Sequence, residues 1–151
     1  RLTESKMENG RTVTALQMHP LKVSQGSIKG RFPPIQLDKT KPITFKAQVG
    51  FLGRARGTDG VTFWVWEHHI QQGKKVSNPV VQIVKRYTGA LQTVSADLSH
   101  LAGKKVRIEL RVDAGESSRG DWAAWVNPQI TFGKQRTIRR PRSRVYNPRR
   151  N

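Results

Sequence analysis

Apolar and polar residues alternate through a succession of short segments, and a period of two is what strands require. Residues 43–50 (ITFKAQVG) put Ile43, Phe45, Ala47 and Val49 on one face. Residues 61–66 (VTFWVW) put Val61, Phe63 and Val65 on one face and Thr62, Trp64 and Trp66 on the other. Residues 105–112 alternate most cleanly, with Val106, Ile108, Leu110 and Val112 inward and Arg107, Glu109 and Arg111 outward. The same reasoning predicts strands over 79–87, 91–98, 122–126 and 129–132, and an edge strand over 11–18. Residues 26–35 hold Gly26, Gly30, Pro33 and Pro34 and read as a bulged strand or loop. Residues 97–103 have room for one helical turn closed by Gly103, and no longer window carries a helical period.

Seven or eight short strands separated by turn signals predict an all-β fold, an antiparallel β-sandwich or jelly roll. Residues 1–10 are polar and lack periodicity, so they read as a flexible lead-in. The sandwich domain is expected over 11–132. Residues 133–151 read as an Arg-rich extended or disordered tail, too poor in apolar residues to offset its ordering entropy. A chain of 151 residues suits one domain. No apolar run is long enough to cross a membrane as a helix. The absence of cysteine excludes disulfides and thiolate metal sites.

Charge changes this plain picture. The formal net charge is +18. Eight of the basic residues, and no acid, fall in the tail. Residues 1–132 keep 20 basic and 10 acidic residues and still carry +10. An excess of this size points to an acidic partner such as an acidic glycan, nucleic acid, anionic head groups or an acidic protein surface, with solubility or adaptation to an unusual solvent as the alternative reading.

Several residues carry candidate chemistry. Trp64 and Trp66 share a face and would form a stacking platform for sugar rings or nucleobases if that face were open; otherwise they belong to a second core or an interface. His68, Tyr87 and Trp125 join them as candidate ligand contacts. Asp113, Glu116, Ser117, Ser118 and Asp121 crowd one loop. Asp113 and Asp121 are candidate calcium ligands, with turn formation as the alternative reading. In the tail, Arg136, Arg139, Arg140, Arg142, Arg144, Arg149 and Arg150, with Tyr146 as an anchor, suit a polyanion or an arm onto a neighbouring copy in a homo-oligomer. No catalytic constellation stands out: Ser and His lack nucleophile contexts, and no second acidic cluster supports the first. The expectation is a non-enzymatic protein without a cofactor, structural calcium excepted.

The order of features from Phe45 to Ile130 resembles the novel putative carbohydrate-binding module (NPCBM) family. The pieces are residues 45–50 (FKAQVG), 60–66 (GVTFWVW), 95–99 (SADLS) with 102–104 (AGK), 110–115 (LRVDAG), 121–125 (DWAAW) and 128–130 (PQI). The resemblance implies a jelly-roll sandwich, a secreted or cell-surface setting, and binding of polysaccharide without catalysis. Two features depart from it. Residues 67–75 (EHHIQQGKK) stand where such modules often have an acidic hairpin, and the basic tail is outside the pattern. Both shift the expected ligand from a neutral sugar toward an acidic glycan. The alternatives are a structural subunit of an extracellular or capsid-like assembly, and nucleic-acid binding through the tail.

Overall fold

The computed structural model describes residues 1–133. Its strands are β1 (Leu2–Lys6), β2 (Thr12–Met18), β3 (Ser27–Arg31), β4 (Ile35–Gln36), β5 (Ile43–Phe51), β6 (Val61–Gln71), β7 (Lys74–Lys85), β8 (Gln92–Asp97), β9 (Lys105–Ala114) and β10 (Ala123–Phe132). A 3₁₀ turn, Ser99–Leu101, precedes β9. Sheet 1 runs β1-β2-β10-β5-β8; sheet 2 runs β3-β9-β6-β7, with β4 also on β9. All pairings are antiparallel. With β1 and β4 set aside, the other eight strands interleave between the two sheets as a jelly-roll sandwich does.

The alternation in the sequence becomes the sandwich interior. Ile43, Phe45, Ala47 and Val49 from sheet 1 face Val61, Phe63, Val65, Val106, Ile108, Leu110 and Val112 from sheet 2, all buried in one core. Trp125 sits among them, fully buried, with its ring edge-to-face on Phe63 (centroids 5.2 Å) and Phe45 (6.4 Å). A second cluster, Met7, Ala15, Leu52, Ala124 and Val126, lies on the opposite face of sheet 1, since Ala124 and Val126 alternate with Ala123 and Trp125.

Several expectations need correction. The lead-in 1–10 is not flexible: Leu2–Lys6 pairs with β2, so β1 is the sheet edge and residues 11–18 are interior. Met7 and Glu8 beyond it are buried. Residues 61–66 and 79–87 underestimate a long hairpin, β6–β7, joined by Gln72 and Gly73. Both take positive φ (50° and 73°), the turn that matches strand twist in a two-residue hairpin. Pro79 is accommodated at the register shift between Val65 and Trp66. Residues 122–126 and 129–132 are one strand, β10, interrupted by a shift at Asn127 (φ 48°) and Pro128.

Glu8 ties this framework together. Its Oε1 accepts from Phe51 N (2.9 Å) and Lys85 Nζ (2.9 Å); its Oε2 accepts from Thr88 N and Gly89 N, both at 2.9 Å. Glu8 is fully buried and Lys85 nearly so. The carboxylate thus joins the end of β5 in sheet 1 to the end of β7 in sheet 2. Gly50 makes room for it, because a Cβ there would stand 2.8 Å from Oε1. Replacing Glu8 by Ala leaves the buried Lys85 ammonium without its carboxylate and takes the acceptor from the Phe51, Thr88 and Gly89 N–H groups. The expected loss is about 3–5 kcal/mol, seen as a lower urea midpoint with an unchanged slope.

Candidate functional site

Sheet 2 presents its outer face as three rows of side chains set by register. Lys29, Arg111, Trp64 and Gln82 lie opposite one another in the first. Arg31, Glu109, Trp66 and Pro79 form the second. Arg107, His68 and Ser77 form the third. The period of two along β6 brings Trp64, Trp66 and His68 to this one face while Phe63, Val65 and Glu67 point inward.

The two indoles lie side by side, centroids 5.9 Å apart and planes inclined by 38°. Both are half-buried, and neither Nε1 has an acceptor among the described residues. Among the described residues no cation lies over either ring; the cation–π contacts there are Arg54 on Trp122 and Lys85 near Phe51. Around the indoles, acids are consumed by neighbours. Glu109, nearly buried, accepts from Arg31 Nε at 2.7 Å and faces His68 Nε2 at 3.3 Å. Asp113 accepts from Arg111 Nε at 2.7 Å. His68 Nδ1 lies 2.6 Å from Ser77 Oγ. The result is a basic face with a paired aromatic centre.

Three of the five expected ligand contacts, Trp64, Trp66 and His68, therefore meet. Two do not. Trp125 is core, because β10 is central in sheet 1 and residue 125 faces inward. Tyr87 lies past the end of β7, stacked obliquely on Phe51, with its hydroxyl donating to Gly53 O at 2.9 Å. The tail candidates Arg136, Arg139, Arg140, Arg142, Arg144, Tyr146, Arg149 and Arg150 lie outside the described residues. Arg31, Arg107, Glu109 and Arg111 belong to the face and were not named from sequence. Alternation on β9 did mark three of them as outward; only the pairing of β9 with β6 shows what they surround.

The two candidate calcium ligands, Asp113 and Asp121, have other partners in the structure. Among the described residues no group of three or more His, Asp or Glu side chains converges on a cation position. Asp113 is held by Arg111, and Asp121 Oδ1 accepts from Thr58 Oγ1. The rest of the loop does turn chemistry: Asp59 accepts from Ser117 N (3.1 Å) and Ser117 Oγ from Arg119 N (3.0 Å). Next to the loop, Trp122 is already occupied, with Arg54 4.2 Å above its ring and His19 edge-on at 4.6 Å. His69, opposite in direction to His68, is buried with Nδ1 2.6 Å from Glu67 Oε2.

The chain matches no known family model and no curated protein.

Two outcomes separate structural roles from ligand roles. Trp125→Ala is expected to cost about 3–5 kcal/mol in chemical denaturation, the range for a large buried aromatic. Asp121 is fully buried and its Oδ2 has no donor among the described residues. Burial raises its pKa above the ordinary value, and Asp59 adds to the effect; the Thr58 hydrogen bond and His19 oppose it. The folded state thus holds this proton to higher pH than the unfolded chain. Its contribution is present at low pH and is lost as pH rises through the folded pKa. Thermal melts of Asp121→Asn across the acid-to-neutral range should lack that component of the fall.

Proposed function

We propose that the protein is a non-catalytic module that binds polysaccharide or glycoconjugate, with a preference for acidic glycans. One observation carries this reading: Trp64 and Trp66 stand together, with no cation of the described residues over either ring, on an outer sheet face lined by Arg31, Arg107, Arg111 and Lys29. Indole faces stack on the C–H faces of sugar rings, and a surrounding excess of guanidinium and ammonium groups attracts carboxylate or sulfate. The resemblance of residues 45–130 to secreted carbohydrate-binding modules supports the same reading, and with it a secreted or cell-surface location. The assembly-subunit and nucleic-acid readings rest chiefly on the tail, outside the described residues.

Affinity electrophoresis and titration calorimetry against acidic and neutral polysaccharides test it. Trp64→Ala and Trp66→Ala are each expected to weaken binding about tenfold, because aromatic stacking contributes about 1–3 kcal/mol per ring and a tenfold change is about 1.4 kcal/mol. Circular dichroism should stay unchanged, since both side chains lie outside the core. No binding of any glycan at low salt rejects the reading; unchanged affinity in the double variant removes the stacking platform from it. Tighter binding of single-stranded DNA than of any acidic polysaccharide replaces the glycan with a nucleic acid.

A further inference from the structure

Around the free end of the β6–β7 hairpin stand cations that no acid of the described residues pairs with. There the hairpin runs past its pairing with β9, which ends at His68 opposite Arg107. A cleft of about 730 Å³ opens between the hairpin end and the start of β9. Lys75, Lys104, Lys105 and Arg107 line it, and none of them pairs with a carboxylate among the described residues. The nearby acids are spoken for. Glu67 is held from within by His69 Nδ1 (2.6 Å) and Asn78 Nδ2 (2.7 Å), and Glu109 by Arg31 and His68. No carboxylate lines the cleft itself.

Four like charges line this one cleft, and like charges repel one another unless an anion joins them. Part of the wall is apolar: Ile70 is 71% exposed and Val76 half-buried. An anion with an apolar flank suits such a lining better than a bare ion. The cleft also adjoins the indoles, because His68 lines it and stands two residues from Trp66 on the same face. Residues 67–75 are the segment by which this chain departs from the acidic hairpin of the modules it resembles.

We propose that this cleft is the acid-group subsite of the glycan face. It takes the sulfate or carboxylate of a polyanionic sugar chain whose neighbouring ring stacks on Trp66; this rests on the glycan reading above. Arg107 presents the forked donors that match either anion, and the three lysines add rotatable point charges.

The test compares Lys105→Gln/Arg107→Gln with Trp64→Ala/Trp66→Ala in the full chain. The control is Lys6→Gln/Lys46→Gln, a pair of exposed charges on sheet 1. The probes are a heparin-derived oligosaccharide, an oligogalacturonate, and desulfated or carboxyl-reduced counterparts; the first two distinguish sulfate from carboxylate. Calorimetry at several salt concentrations is expected to show at least a tenfold loss for one anionic probe in Lys105→Gln/Arg107→Gln, with a shallower salt dependence. Its melting temperature and its binding of the charge-stripped counterpart should be unchanged. The sheet 1 pair should behave as wild type. An equal loss in the sheet 1 pair overturns the subsite, because binding then follows net charge. Loss confined to the tryptophan variant also overturns the subsite and leaves the glycan reading standing. Loss confined to the cleft variant upholds the subsite and removes the stacking platform. No binding of any probe by the wild type overturns both.

Discussion

The buried contact between Glu8 and Lys85 is the constraint on which the arrangement of the two sheets rests. A sandwich core is held by non-directional apolar burial, which leaves sliding of one sheet over the other weakly opposed. A buried carboxylate with four donors is directional. It fixes the end of β5 against the end of β7 and locks the Thr88–Gly89 connection into β8. Lys85 is satisfied on its other side by Arg86 O at 2.7 Å and Thr88 Oγ1 at 3.3 Å. Such a pair adds little net stability over a hydrophobic substitute of equal shape, yet breaking one half is severe. Its contribution is to make one register cheap and its neighbours expensive.

The same logic shapes the surface. Four of the ten acids, Glu8, Glu67, Glu109 and Asp121, are buried, while among the basic residues of 1–133 only Lys85 is. Negative charge is spent inside, on fixing backbone and side chains, and the exterior is left with a larger positive excess than composition alone conveys. Glu109 shows the link to function. By holding Arg31 and His68 it positions a guanidinium and an imidazole beside Trp66. Stability and the proposed recognition therefore draw on one set of carboxylates.

What the sequence made legible follows from distance along the chain. The inward rows of β5, β6 and β9 are local patterns, and each falls in the core as alternation requires. The order of residues 1–10 was illegible because their buried side chains are polar or depend on remote partners: Met7, just past β1, bridges Leu52, and Glu8 binds groups 43 to 81 residues away. The second half of β6, Glu67-His68-His69-Ile70-Gln71, shows no apolar alternation, since its inward positions hold a carboxylate and an imidazole in contact rather than aliphatic side chains. Trp125 shows the opposite limit. An indole in a Trp-rich segment looks the same in sequence whether its strand is central or at an edge. Trp64 and Trp66 could be paired with each other from sequence, whereas the cations around them arrive on β3 and β9, strands distant in the chain.

The two outer faces are not equivalent, and this asymmetry decides where a flat ligand has room. On sheet 1, the strand-connecting residues Met7 and Leu52 fold against Ala15, Ala124 and Val126, so small side chains are sealed beneath backbone. Trp122, at the margin of that face, is already covered by Arg54 and His19. On sheet 2, β3 and β4 sit on one flank of β9 and leave the β9–β6–β7 strip with its indoles facing outward. Folding Met7 and Glu8 back over one sheet closes that face and fixes the relation of the sheets at a single corner. Among the described residues no such segment folds over the outer face of sheet 2, so its indoles are the side chains that the proposed ligand would meet.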